Sequence, residues 1–207
     1  MTPGHIDFID DDESLRETIQ ELLSAAGHSV TVWRDAYSFL AAWTPRTPAV
    51  ILTDMRMPDL SGLDLHRELQ LKGCQTPVVY ISAESTPRQT IQAMKLGAED
   101  FLLKPFGRQE LLDAVAQALE KDQHRVEHLR FKQAQARSLA ELSPRELEVL
   151  RLWTRGYNNA EIVEELGIAL PTAKQYKSQI KHKLQLNALS DLIRFTQGVF
   201  DDPPPSP

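Results

Sequence analysis

Through the first half of the chain, short unbroken apolar runs alternate with stretches in which apolar positions recur every three or four residues. Ile6 to Ile9 is the first run, broken only by Asp7 inside it, and reads as a strand that ends in Asp10-Asp11-Asp12. A helix is expected from about Ser14 to Ala26, where Leu15, Ile19, Leu22 and Leu23 fall at helical spacing and Gly27 stops it. Ser29 to Trp33 reads as a second strand, 36 to 43 as a short helix, and Thr44-Pro45-Arg46-Thr47-Pro48 as a loop. Ala49 to Thr53 is apolar or β-branched throughout, which suits a strand buried on both faces, and it delivers Asp54 to its carboxyl end. A helix near Leu63 to Leu71, a strand 77 to 81, a helix near 87 to 96 and a strand 100 to 103 follow. This alternation predicts βαβ units and an α/β doubly wound, five-stranded parallel sheet.

From Arg108 the pattern becomes helical, with neither Gly nor Pro before residue 143. Leu112, Val115, Leu119, Asp122, Val126, Leu129, Gln133 and Ala136 step by three and four, a heptad seam with polar faults at 122 and 133. One long helix is expected, either paired with a second chain or acting as a solvated tether. Ser143-Pro144-Arg145-Glu146 then starts an all-α domain: Ser caps, Pro takes the first helical position, and Glu three after the Ser completes a capping box. Four helices are predicted there, near 145–155, 159–166, 171–184 and 188–198. The expected organisation is 1–121, an α/β domain; 122–138, a helical linker continuing its last helix; 139–200, a four-helix domain; and 201–207, a Pro-rich disordered tail.

Charge sharpens this division. Residues 1–121 hold 11 Lys+Arg against 18 Asp+Glu, 122–137 hold 4 against 2, and 138–207 hold 8 against 9, which together give the overall −6. That acidity excludes a general nucleic-acid coat and leaves room for one local basic face. No apolar run approaches the ~20 residues of a membrane span and no signal-peptide pattern opens the chain, so a cytoplasmic protein is expected. Cys74 is the only cysteine, which rules out an internal disulfide.

In a parallel sheet the working crevice lies beyond the carboxyl ends of the strands. Asp10, Asp11, Asp54, Ser82 and Lys104 all fall at such ends, so five polar residues converge from four strands. A phosphoryl group on Asp54 would bring about two negative charges to a place already holding two acids. A divalent cation with oxygen ligands, Mg²⁺, makes that tolerable. Lys104 offers a point charge to a phosphoryl oxygen, and Ser82 a hydrogen bond once the group is present. Each residue alone has a plainer use: the aspartates as helix caps, Asp54 as a turn former, Lys104 as a solvated lysine, Phe101 as core.

Residues 5–120 resemble the receiver domain of bacterial two-component response regulators. The resemblance rests on the Asp pair after the first strand, Thr53-Asp54-Met55-Arg56-Met57-Pro58, Ile81-Ser82-Ala83 and Lys104-Pro105-Phe106. It implies a flavodoxin-like fold, Asp54 as phosphoacceptor, and Mg²⁺ held by Asp11, Asp54 and the Arg56 carbonyl with Asp10 in support. It further implies phosphotransfer from a sensor histidine kinase, an often cis Lys104-Pro105 bond, and Phe101 as an aromatic switch answering Ser82. Ser82 departs from the family's usual Thr. Arg56 and Glu84 flank the expected phosphoryl position, and they are expected to pair across it and slow attack by water.

Residues 143–195 resemble the LuxR-type helix-turn-helix of the NarL/FixJ class, through Leu142-Ser143-Pro144-Arg145-Glu146, Gly156 with Asn159 to Ile162, Leu166-Gly167-Ile168 and Thr172-Ala173-Lys174. At about 100° per residue from Lys174, Ala173, Tyr176, Ile180 and Leu184 form one arc, while Lys174, Gln175, Ser178, Lys181 and His182 form the opposite one. No acid occurs from Gly167 to Asn187. Thr172, Lys174, Gln175, Lys177, Ser178 and Lys181 are the expected DNA contacts, with Lys183 also near phosphates. Ala169 stands where a capping Ser is common. Leu189, Leu192, Ile193 and Thr196 either pair with another chain or pack on their own domain.

A phosphorylation-controlled, DNA-binding transcriptional regulator follows, not an enzyme beyond its own phosphotransfer and dephosphorylation. Its implied partners are a sensor histidine kinase, promoter DNA, RNA polymerase and, in the active state, a second copy of the chain. A phosphotransfer module whose second half contacts protein, and a regulator in which the acidic site is structural, are the competing readings.

Overall fold

The computed structural model describes residues 3–83 and 86–200. Glu84 and the tail 201–207 lie outside the described residues. The chain divides into two compact units, 1–128 and 129–207. In the first, β1 (His5–Ile9), β2 (Ser29–Trp33), β3 (Ala49–Asp54), β4 (Val78–Ser82) and β5 (Asp100–Leu103) form one sheet, all pairs parallel, in the order β2-β1-β3-β4-β5. Helices α1 (Glu13–Ala25), α2 (Ala36–Ala42), α3 (Gly62–Leu71) and α4 (Pro87–Lys95) make the crossovers.

Strand alternation sorts the side chains into two cores. Ile6, Phe8, Val50, Leu52, Val79 and Ile81 join Ile19 and Leu23 of α1 on one face, together with Leu111, Val115 and Leu119 of α5 (Arg108–Ala140). Ile9, Ile51 and Tyr80 join Phe39 of α2, Leu65 and Leu69 of α3 and Ala93 of α4 on the other. All six residues of β3 are buried, as its unbroken apolar run requires. Because the sheet is parallel, every strand releases its last polar residue at the same edge.

The heptad seam is corrected by this packing. Leu112, Val115 and Leu119 fill the first unit's own core, and Asp122 is fully buried. Its carboxylate accepts the Ala49 N–H at 2.9 Å and the Arg125 guanidinium at 2.6 Å. What reads as a polar fault is the anchor of α5 on the leading end of β3. Further along, Leu129, Gln133 and Ala136 are exposed, while Gln135 donates to the Phe195 carbonyl and Phe131 meets the Phe195 ring edge-on.

The second unit continues with α6 (Pro144–Thr154), α7 (Asn159–Leu166), α8 (Leu170–Leu184) and α9 (Leu189–Thr196). They close on Val149, Leu150, Ile162, Ala173, Ile180, Leu184 and Leu192. Ser143 and Glu146 form the expected capping box on α6. Among the described residues no helix is long and apolar enough to cross a membrane.

Candidate functional site

Lys104, one residue past β5, reaches across the sheet edge and joins two carboxylates. Its ammonium lies 2.9 Å from Asp10 Oδ2 and 2.8 Å from Asp54 Oδ1. The side chains of Asp10 and Asp54 are only 1% and 8% exposed, that of Lys104 23%, so the contacts form in a screened, low-dielectric place. The Lys104 N–H donates to the Ser82 carbonyl at 2.7 Å, and the peptide to Pro105 is cis. Asp10 Oδ1 accepts the Asp12 N–H at 2.9 Å, and Asp54 Oδ2 accepts the Arg56 N–H at 2.6 Å. Burial pushes Asp10 above the usual carboxylate range, more than its contacts with the Asp12 N–H and Lys104 pull it down. Burial also acts to lower Lys104, yet its bonds to Asp54 and Asp10 hold it above its ordinary value.

The three consecutive aspartates divide their labour. Asp12 caps α1 by accepting the Leu15 N–H, Asp10 turns inward to Lys104, and Asp11 is exposed. Asp11 lines an open cavity of about 330 Å³ with Arg34, Asp35 and Met57 to Leu60. Among the described residues no three His, Cys, Asp or Glu side chains gather into a metal cage. Mg²⁺ does not ask for one: it binds through one or two carboxylates and keeps several waters. Two screened carboxylates facing one ammonium, with oxygen the only donor type, fit such an ion.

Ser82 is buried at the end of β4. Phe101 is half-buried on β5 beside its register partner Tyr80, ring centroids 6.5 Å apart. Tyr80, two residues before Ser82, shares a hydrogen bond of 2.9 Å with His66 Nδ1 of α3. Burial lowers His66 and raises Tyr80 far out of the physiological range, so both are neutral. Neither this pair nor Gly62 has a signal in the sequence. A Cβ on Gly62 would fall on the Asp54 carbonyl, so only glycine lets α3 start so close behind the end of β3.

In the second unit, Lys174, Gln175 and Ser178 stand exposed on α8, as do Gln179 and His182, and Thr172 is half-exposed at its start. Lys177 and Lys181 do not stand free in solvent. Their ammoniums lie 4.8 Å and 5.7 Å from the centre of the Trp153 ring of α6, and Lys177 also donates to Asn159 Oδ1 of α7 at 2.7 Å. Burial, then the charge of Lys181, lowers Lys177. Lys183, expected near phosphates, is instead held by buried Glu146 at 2.7 Å and by the Glu141 carbonyl. Burial acts to raise Glu146, but Lys183 and the Ser143 bonds hold it below the usual carboxylate range. Ala169 leaves α8 without a side-chain cap. On α9, Leu192 and Thr196 are buried in their own domain, while Leu189 and Ile193 are 40% and 45% exposed.

Comparison with known proteins places both halves. The model of the response regulator receiver domain matches residues 6–116, and that of the bacterial regulatory proteins of the luxR family matches 140–196. Nodulation protein W of Bradyrhizobium diazoefficiens is 38% identical over 197 residues, covering 95% of this chain and 86% of that protein. The transcriptional regulatory protein FixJ of the same organism is 33% identical over 203 residues, covering 97% and 99%. Among solved structures, the response regulator StyR matches with a TM-score of 0.82 at 36% identity, covering 94% of this chain and 98% of that one.

Proposed function

Since the chain belongs to the two-component response regulators that join a receiver to a LuxR-family DNA-binding domain, we propose that Asp54 is its phosphoacceptor and the outer face of α8 its DNA-reading surface. It is a DNA-binding transcriptional regulator of the FixJ kind, not an enzyme of metabolism. Its family implies a histidine kinase as partner, and receivers of this family typically use Mg²⁺.

The observation that carries the reading is the Lys104 ammonium, shared between Asp10 and Asp54. An Asp54 oxygen forms the new P–O bond while the P–N bond of the kinase's phosphohistidine breaks, its electron pair returning to the imidazole. Lys104 follows the phosphoryl oxygens through this transfer and stabilises the charge that builds on them. Asp10, Asp11, Asp54 and the Arg56 carbonyl are the oxygens to hold Mg²⁺, which when bound neutralises phosphoryl charge. The Ser82 hydroxyl then turns to a phosphoryl oxygen, and Phe101 follows. Arg56 shields the group from water; its suggested partner Glu84 lies outside the described residues. On this reading the receiver runs over 1–121, the linker over 122–138 and the DNA-binding domain over 139–200. The active form is a cytoplasmic homodimer on promoter DNA, with RNA polymerase as the next contact, and exposed Leu189 and Ile193 favour α9 for pairing.

Incubation of the whole chain with Mg²⁺ and a small-molecule phosphodonor tests the acceptor. One acid-stable, base-labile phosphoryl group is expected by intact mass, and none on Asp54→Asn. Equal phosphorylation of the variant would overturn the assignment.

A further inference from the structure

Lys177 lies at the meeting of the three helices of the DNA-binding unit. On the helical wheel it falls at about 300° from Lys174, next to the buried arc of Ala173, Ile180 and Leu184 and away from the exposed arc. Its ammonium is committed twice, to the Asn159 amide at 2.7 Å and to the Trp153 ring at 4.8 Å. These partners come from α7 and α6, so one side chain of α8 touches both neighbours. Lys181, one turn on, sits over the same ring at 5.7 Å. A helix normally fixes its own start with a side-chain cap, but Ala169 supplies none. The pitch of α8 therefore rests on tertiary contacts.

We propose that Lys177 is a positioning residue for DNA recognition: through Asn159 and Trp153 it sets the angle at which α8 presents Lys174, Gln175 and Ser178, and it does not itself contact a phosphate. The inference rests on the assignment of the outer α8 face to DNA. The direction of the Lys177 pKa, lowered by burial and by Lys181, agrees with an inward-held ammonium.

The distinction is measurable because each lysine on a phosphate adds about one unit to the slope of log affinity against log salt. The full-length chain is titrated with a duplex that it has enriched from a random-sequence pool, and with a shuffled duplex of equal length, over a range of salt. Lys177→Met, which keeps the stem and removes the charge, is expected to lose about tenfold on the enriched duplex, the scale of one charge-assisted hydrogen bond. Its affinity for the shuffled duplex and its salt slope are expected to match the unaltered chain. Asn159→Ala is expected to reproduce the loss, the double variant to add little to it, and Lys177→Arg to restore discrimination. Lys174→Ala is the separate arm for the outer face, with an expected fall in slope of about one unit. A Lys177→Met slope lower by about one unit would place Lys177 on a phosphate and overturn the proposal. Unchanged affinity would overturn it too, and so would equal losses on both duplexes, which mark a merely structural lysine.

Discussion

The two charged centres of this chain are built in opposite senses. At the receiver edge one ammonium is shared between two screened carboxylates, leaving an excess of negative charge beside Asp54. On α8 two ammoniums share one indole, in a stretch without a single acid between Gly167 and Asn187. The first arrangement favours an incoming cation and then a phosphoryl group whose oxygens Lys104 can hold. The second favours a polyanion, and it holds Lys177 and Lys181 with an aromatic face and a neutral amide where the receiver uses carboxylates, so neither of these two charges is cancelled. A carboxylate tether on Lys177 would fix the helix equally well and would weaken the field that DNA meets.

The largest test of this contrast removes the shared cation. Lys104→Met leaves Asp10 and Asp54 as buried like charges, and breaking a buried pair from one side costs about 3–5 kcal/mol. The lower end is expected, because the Lys104 side chain is 23% exposed. Urea unfolding of the first unit should move accordingly, and an unchanged midpoint would show that the two acids do not need the lysine.

Acidification should separate the units next. His28 and His66 are both buried and both lowered, so in the folded first unit their imidazoles stay neutral where those of the unfolded chain take up protons. Stability is then full above about pH 6.5 and falls as pH drops below it, by up to about 1.4 kcal/mol per pH unit for each histidine. Asp10 acts in the reverse sense at lower pH, since a raised carboxylate relieves its own cost when it protonates. Among the described residues neither ring nitrogen of His28 has a hydrogen-bond partner. His28→Leu should therefore flatten the acid limb and raise the melting temperature at pH 6, measured by calorimetry; a steeper limb would contradict this. The second unit should show no comparable loss over this range.

The smallest effect concerns the uncapped start of α8. Ala169→Ser offers an acceptor to the free N–H groups of α8 and is expected to add about 0.5–1 kcal/mol to the second unit alone. If α8 leans less on Lys177 once capped, the Lys177→Met loss on the enriched duplex should shrink in the Ala169→Ser background. A loss of the same size would show that the cap and the tether act independently.

Element boundaries were legible because each is written locally. Gly27, Gly73 and Gly97 end the first helices with positive φ, Ser143 and Glu146 begin α6, and the run Ala49 to Thr53 has the composition of a strand covered on both sides. Asp10, Asp54, Ser82 and Lys104 were legible for a related reason: a parallel sheet brings every strand's carboxyl end to one edge, so position in the alternation determines position in space. Periodicity also separates the two arcs of α8.

What periodicity leaves open is the partner a polar side chain meets when that partner is distant in the chain. Asp122 breaks a heptad on paper, and only the fold sets it 2.9 Å from the N–H of Ala49, seventy-three positions earlier. Lys183 carries the same charge as Lys174 on the same helix, yet Glu146 claims one while the other faces solvent. Gly62 matters because of the Asp54 carbonyl behind it, and Lys177 because Trp153 and Asn159 arrive from two other helices. By itself, then, the sequence determined which elements form and which strand ends converge, since hydrophobic spacing and turn chemistry act over a few residues. The tertiary structure decided which charges are spent on holding the fold and which are left shared at the sheet edge or open to solvent, because that depends on desolvation and on partners that only packing brings within hydrogen-bond reach.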